Sequence, residues 1–190
     1  MVLSYAGIEE LLTLNTHIVM EQVKWFERSF DFSGTQNIFP EIVERLRGTP
    51  ARLDEKIGAI SPAVLTRKVD GSWSIKEHLG HLSDLEPLWQ QRLNDIITGQ
   101  EVMSPTDLQN RKTDLAGHND RPVEELLREF REIRRETILL LENIDEGTVF
   151  SSALHPRLGT PMRTMDLFLF VAEHDDHHLA RITELANLPA

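Results

Sequence analysis

The residues with the most chemical potential in this chain are its histidines. There are eight, at positions 17, 78, 81, 118, 155, 174, 177 and 178, and most gather in two clusters. The sharper cluster is His174-Asp175-Asp176-His177-His178, in which His174 and His178 stand one helical turn apart and can reach a single ion. The other is His78-Leu79-Gly80-His81. The chain has no cysteine, which removes thiolate nucleophiles, iron–sulfur clusters, disulfides and redox pairs together. Any bound metal must therefore be held by His, Asp or Glu.

These side chains need helices to place them. In the last segment, Arg163 to Asn187, the residues Leu167, Phe170, Val171, Ile182 and Leu185 form one apolar stripe at about 100° per residue. His174 and His178 fall near the centre of that stripe and His177 on its flank. Imidazoles facing an interior must find partners, since an unpaired buried polar group is costly. One ion would satisfy both; carboxylates such as Asp84 or Glu86 are the alternative partners. The second cluster follows Ser74-Ile75-Lys76-Glu77, a capping box that opens the pattern Ile75, Leu79, Leu82, Leu85, Trp89, Leu93, Ile96 and Ile97 and predicts a helix stopping near Gly99. Either His78 or His81 can supply a third ligand. The apolar centre of the helix lies nearer His78, with Gly80 leaving room alongside.

Three more helices are predicted. One covers Ile8 to Phe26, and a polar break at Asp31 to Asn37 follows it. The next starts at Ile38 and either restarts near Pro50 or continues past a kink. The third is capped by Asp120 with Pro122 in its first turn, and its core face is Val123, Leu126, Leu127, Phe130, Ile133, Ile138 and Leu141. Its other face, Arg128, Glu129, Arg131, Glu132, Arg134, Arg135 and Glu136, reads as solvated and ion-paired. No stretch alternates with period two for long enough to predict a strand. The expectation is an all-α four-helix bundle over residues 38–190, with a helical extension over residues 1–37 packed outside it.

Composition narrows the partners. The 190 residues are 40% hydrophobic and 27% charged, enough for one packed domain. With 20 basic against 31 acidic side chains the net charge is −11, so a nucleic acid is not expected as a partner. No run approaches the roughly 20 apolar residues of a bilayer span, and no membrane association is expected. The start, Met1-Val2-Leu3-Ser4-Tyr5, lacks the pattern of a secretory signal, so a cytoplasmic location is expected.

The run Trp73-Ser74-Ile75-Lys76-Glu77-His78-Leu79-Gly80-His81-Leu82 is followed by His155-Pro156 with Gly159, and then by Ala172-Glu173-His174-Asp175-Asp176-His177-His178-Leu179-Ala180-Arg181-Ile182. Together they resemble the DinB/YfiT-like, or damage-inducible, superfamily, from about Ile38 to Leu188. The resemblance implies a four-helix bundle, often a homodimer, whose three histidines bind a divalent metal, commonly zinc or nickel. In that pattern the first ligand falls eight residues after the Trp, which selects His81 over His78 and joins it to His174 and His178. His78, His177 and Arg181 become candidates for binding a cofactor or substrate in the pocket.

Three neutral imidazoles leave a coordination position open, as in catalytic zinc sites. Such an ion lowers the pKa of bound water or ionises a coordinated thiol. The resemblance supports both uses, since related proteins include bacillithiol- and mycothiol-dependent transferases, a maleylpyruvate isomerase and metal-dependent hydrolases. Thiol transfer to a small-molecule substrate is the favoured expectation. Hydrolysis would need a carboxylate base, for which Asp84 and Glu173 are the candidates. The competing class is a metal-stabilised bundle that docks another protein, with Trp25 and Phe26 as anchors. The acidic composition disfavours anions unless residues such as Arg163 or Arg181 correct the local field.

Overall fold

The computed structural model describes residues 22–188. Among them are seven α-helices and one antiparallel ribbon: α1 (Phe39–Gly58), α2 (Pro62–Leu65), α3 (Ile75–Ile97), α4 (Arg111–Leu115), α5 (Val123–Glu142), α6 (Glu146–Phe150), β1 (Ser152–Leu154), β2 (Pro161–Arg163) and α7 (Thr164–Asn187). The four long helices form the expected bundle. None of the described helices is long and apolar enough to cross a membrane.

Local sequence accounts for the helix ends that matter. Pro40 sits in the first turn of α1, where a missing N–H costs nothing. At the head of α3, Ser74 Oγ accepts from the Glu77 amide at 3.2 Å and Glu77 Oε2 accepts from the Ser74 amide at 2.8 Å, closing the capping box. Gly99, at φ 71°, ends that helix. Pro50 does not restart α1, which runs through it unbroken. Its ring leaves the Leu46 carbonyl without an intrahelical donor, and Arg134 Nη1 donates to that oxygen at 3.4 Å.

Several expectations are corrected. Asp120 does not cap α5; its amide is tied to Gly117 O at 2.9 Å in a 3₁₀ turn over His118–Asp120, and extended Pro122 precedes the helix instead. The ribbon pairs Ala153 with Met162, both buried, in strands of three residues, too short for alternation to register in sequence. Residues 8–21 of the expected first helix lie outside the described residues. From Gln22 onward the segment is not helical apart from a 3₁₀ turn at Trp25–Glu27.

Helix α3 packs on α5 and α7, and so does α1. Thus α1 and α3 lie on one diagonal and α5 and α7 on the other, which requires the long connections seen between consecutive members of each pair. The core divides into two apolar halves, one around Leu46, Trp89, Phe168 and Phe170, the other around Leu53, Leu79, Phe130 and Ile182. Between them each long helix contributes a buried polar residue: Thr49, Glu86, Arg134 and Asp175.

Arg134 is the largest departure from the sequence reading, which placed it on the solvated face of α5. It is 1% exposed, and its guanidinium spans Glu86 Oε1 at 2.5 Å and Asp175 Oδ2 at 2.5 Å. Thr137 Oγ1 donates to Glu86 and Thr49 Oγ1 to Asp175. The two carboxylates hold the guanidinium firmly charged against burial. Every long helix is thereby tied at one level, one residue from His174.

Candidate metal centre

His81 on α3 and His174 and His178 on α7 converge, with one ring nitrogen of each within 4.8 Å of the others and all three side chains buried. The spacing of α7 puts Nε2 of His174 and His178 3.1 Å apart. A tetrahedral zinc with Zn–N near 2.0–2.1 Å separates its nitrogens by about 3.4 Å, so the donor set suits such an ion. Neither Asp84 nor Glu86 reaches these two histidines: Glu86 is held by Arg134, and Asp84 by His118 and Thr113.

Around His81 the hydrogen bonds fix which nitrogen points inward. Thr113 Oγ1 gives its proton to Asp84 Oδ2 at 2.8 Å, so at 2.9 Å it must accept from His81 Nδ1, leaving the lone pair on Nε2. His178 Nδ1 lies 2.8 Å from His78 Nδ1. In the tautomer that would offer an ion its Nε2 lone pair, His178 carries its proton on Nδ1 and donates to His78. His78 then holds its own proton on Nε2, a buried nitrogen with no partner that borders the cavity. Outer partners of this kind orient metal-ligating imidazoles. The centre thus takes in both residues between which the sequence left a choice.

His118 and Thr113 had no periodic signal, because both come from the irregular stretch between α3 and α5. His118 Nε2 donates to Asp84 Oδ2 at 2.9 Å, and its ring lies flat on Gly80. A Cβ at position 80 would sit 2.4 Å from that imidazole, so the room beside Gly80 is filled by His118. His17 lies outside the described residues.

Burial keeps the cluster neutral. His78 is pushed down to about 3 by burial and then by Arg181, and His81 to about 4 by burial against the pull of Asp84. His177 falls to about 4 through burial and Arg28. Burial also holds His174 and His178 well below the usual range. Neutral imidazoles are the metal-binding form. These folded values lie below the ordinary 6.5, so between roughly pH 4 and 6.5 the unfolded chain binds more protons than the folded one. The metal-free protein should therefore lose stability steadily as pH falls through that window. Urea-unfolding midpoints measured at half-unit steps check this, and a midpoint that holds constant from pH 6.5 to 4 would show the rings to be charged in the fold.

The cluster opens onto a cavity of about 540 Å³. Trp25, Trp73, Trp89, Leu85 and Phe170 give it apolar walls, and His78, His177 and Arg181 border it. Asp84 and Glu173 do not line it. Glu173 points the other way, paired with Arg28 at 2.6 Å and Arg45 at 2.5 Å. Arg163 also lies elsewhere, bonded to Asp166. The segment around Trp25 forms one wall: its indole is edge-on to Phe170 at 4.9 Å and to His174 at 5.1 Å, and Gln22 Nε2 donates to His177 O. Trp25 is therefore an intramolecular contact, whereas Phe26 is 59% exposed and stacks under Arg157.

A family model described as the DinB superfamily matches residues 45–182. Among solved structures, the chain is similar to YfiT from Bacillus subtilis, described as a probable metal-dependent hydrolase with an unusual four-helix bundle topology. That match has a TM-score of 0.71 at 21% identity, covering 83% of this chain and 91% of that one. It is also similar to the colibactin self-resistance protein ClbS in complex with a dsDNA, with a TM-score of 0.63 at 13% identity, covering 83% of this chain and 100% of that one. An uncharacterized protein from Clostridium difficile 630 matches with a TM-score of 0.59 at 12% identity, over 80% and 96% of the two chains. No curated protein matches the sequence. At these identities the structures share a fold, and the duplex belongs to ClbS.

Proposed function

This chain belongs to the DinB superfamily, and from that premise we propose that it is a metal-dependent transferase acting on a low-molecular-weight thiol. In this reading His81, His174 and His178 hold a divalent cation, zinc or nickel. The cavity in front of them receives a thiol of the bacillithiol or mycothiol type together with a small electrophile.

The observation that carries the reading is the lining of the cavity. Its volume suits small-molecule ligands. Among the described lining residues the one acid is Asp107, whose oxygens accept from the Gln109 and Arg111 amides. Hydrolysis is best served by a base within hydrogen-bond reach of the attacking water. Asp84 and Glu173 are engaged away from the cavity, so Asp84 acts through Thr113 as a positioning residue for His81. A thiol has less need of a base, because a bound divalent cation supplies the Lewis acidity that ionises it.

The chain's own residues then have distinct tasks. Thr113 and His78 hold the ligating rings in orientation. The free Nε2–H of His78 offers a hydrogen bond to a bound molecule, His177 and Arg181 contact the polar body of the thiol, and Trp25, Trp89 and Phe170 exclude water. The similarity to YfiT favours hydrolysis as the second reading.

One titration separates them. Cobalt-substituted protein should develop a saturable sulfur-to-cobalt absorption band when cysteine or 2-mercaptoethanol is added, with no band in His174→Ala. A cobalt spectrum indifferent to thiols would discard the transferase reading and leave hydrolysis.

A further inference from the structure

The cavity has a second polar end, away from the histidine triad, that none of these roles uses. Arg92 on α3 is 1% exposed, with Arg134 one of the two largest fully buried side chains among the described residues, and it borders the cavity. Its Nε donates to Ser104 O at 2.9 Å, but Nη2 is buried with no partner. Asp95, one turn further along, is taken by Gln91 Nε2 and the Ser104 amide, and it forms no ion pair with Arg92 among the described residues. An arginine so buried ordinarily faces a carboxylate, as Arg134 does in the same bundle.

His155 makes the shortage sharper. Its Nδ1 accepts from the backbone amides of Arg157 and Leu158 at 3.3 and 3.2 Å. A neutral ring accepting at Nδ1 carries its proton on Nε2. That Nε2 lies 3.1 Å from Arg92 Nη1, which is also a donor. Two donors therefore meet with no acceptor between them, beside a third donor that is free. Burial and Arg92 push His155 down to about 4, so the ring is neutral, and burial pushes Arg92 down to about 10 against the pull of Asp95. Arg157, beside them, has no acidic partner among the described residues and lies over Phe26 at 5.3 Å. Arg92 and Arg157 place two positive charges at this end of the cavity, with Asp95 the acid close enough to act on Arg92.

We propose that Arg92, with His155 Nε2–H and Arg157, is a carboxylate-binding subsite, and that the molecule processed at the histidine triad is a small organic acid with an apolar stem. This rests on the triad being the reacting end. The guanidinium fork matches a planar carboxylate, which supplies the acceptors that Nη1, Nη2 and Nε2–H lack. Trp89 sets the spacing: its ring centroid lies 5.3 Å from the Arg92 guanidinium carbon and 5.9 Å from the His174 ring. A stem lying along the indole places the carboxylate at Arg92 and the reactive carbon toward the triad.

The test uses 3-phenylpropionate, which has no thiol, with quenching of the cavity tryptophans as readout. Wild-type protein should bind it whether metal-free or zinc-loaded, and at least tenfold more tightly than 3-phenylpropionamide. Arg92→Gln should erase that preference while leaving zinc uptake stoichiometric. Should Arg92→Gln fail to fold, Arg92→Lys, which keeps charge and stem but not the fork, should weaken the acid about tenfold. Cobalt-loaded protein titrated with 3-mercaptopropionate and 2-mercaptoethanol separates the two sources of carboxylate. An Arg92→Gln loss that spares both thiols assigns the subsite to the electrophile as proposed, and a loss shared by 3-mercaptopropionate alone moves it to the thiol. Equal binding of acid and amide, or acid binding that needs zinc and survives Arg92→Gln, would overturn the subsite. Acid binding to a wild-type protein that takes up no metal would uphold the subsite and refute the metal reading instead.

Discussion

Alanine at His174, His178 or His81 should each abolish stoichiometric zinc or nickel uptake, with a loss of affinity beyond the roughly 10- to 100-fold typical of removing an outer hydrogen-bond partner. The three nitrogens converge from two helices, so removing one leaves two imidazoles and water, too few strong donors to compete with the solvated ion. The helical fold should survive. His174 and His178 are surrounded by other rings, and the ties that hold α7 to its neighbours run through Asp175 rather than the histidines. Elemental analysis after dialysis, beside far-ultraviolet circular dichroism, checks both parts. Full metal occupancy in any of the three variants would exclude that residue as a ligand. Collapse of all three would make the metal structural and favour a binding module over an enzyme.

Arg134→Met should destabilise the protein by about 3–5 kcal/mol, the range for stranding a buried charge without its partner. Here the arginine answers two carboxylates, Glu86 and Asp175, both at 0% exposure. It also covers the Leu46 carbonyl freed by Pro50. A domain is ordinarily stable by only about 5–15 kcal/mol, so a large share of the total is at stake. The triple change Glu86→Leu, Arg134→Met, Asp175→Leu should recover most of the loss, since apolar side chains of similar size replace buried ion triads without penalty. Urea-unfolding midpoints at a common slope give the comparison. A single variant within 1 kcal/mol of wild type would mean that water reaches the carboxylates and the layer is not dry.

The two predictions separate roles that lie one residue apart on α7. His174 faces the cavity and Asp175 faces the bundle's centre, so the first change should remove chemistry and the second tie should remove stability. Both follow from one helix presenting successive residues about 100° apart.

The sequence by itself determined much of what depends on a single helix. The capping box at Ser74 and the left-handed Gly99 set the limits of α3 because caps are local hydrogen-bond and backbone matters. The pairing of His174 with His178 follows from 3.6 residues per turn, and the order of motifs identified the superfamily. Residue type misled where period would not have: Arg134 reads as one of many charged residues on α5, yet it stands four residues from both Phe130 and Ile138 and shares their buried face, where Glu86 and Asp175 across the bundle answer its charge. Period misled elsewhere. Between His78 and His81 the angular position on α3 favoured the wrong one for the converging triad, because a helix's own apolar centre does not say where its neighbour's histidines lie. Thr113, His118, His155 and the Trp25 turn belong to irregular segments with no period to read, and Arg92 gains its meaning from an acceptor that is missing. Tertiary structure decided these because partners from different elements meet only when the helices pack, and the need to satisfy buried donors and charges then assigns each side chain its place.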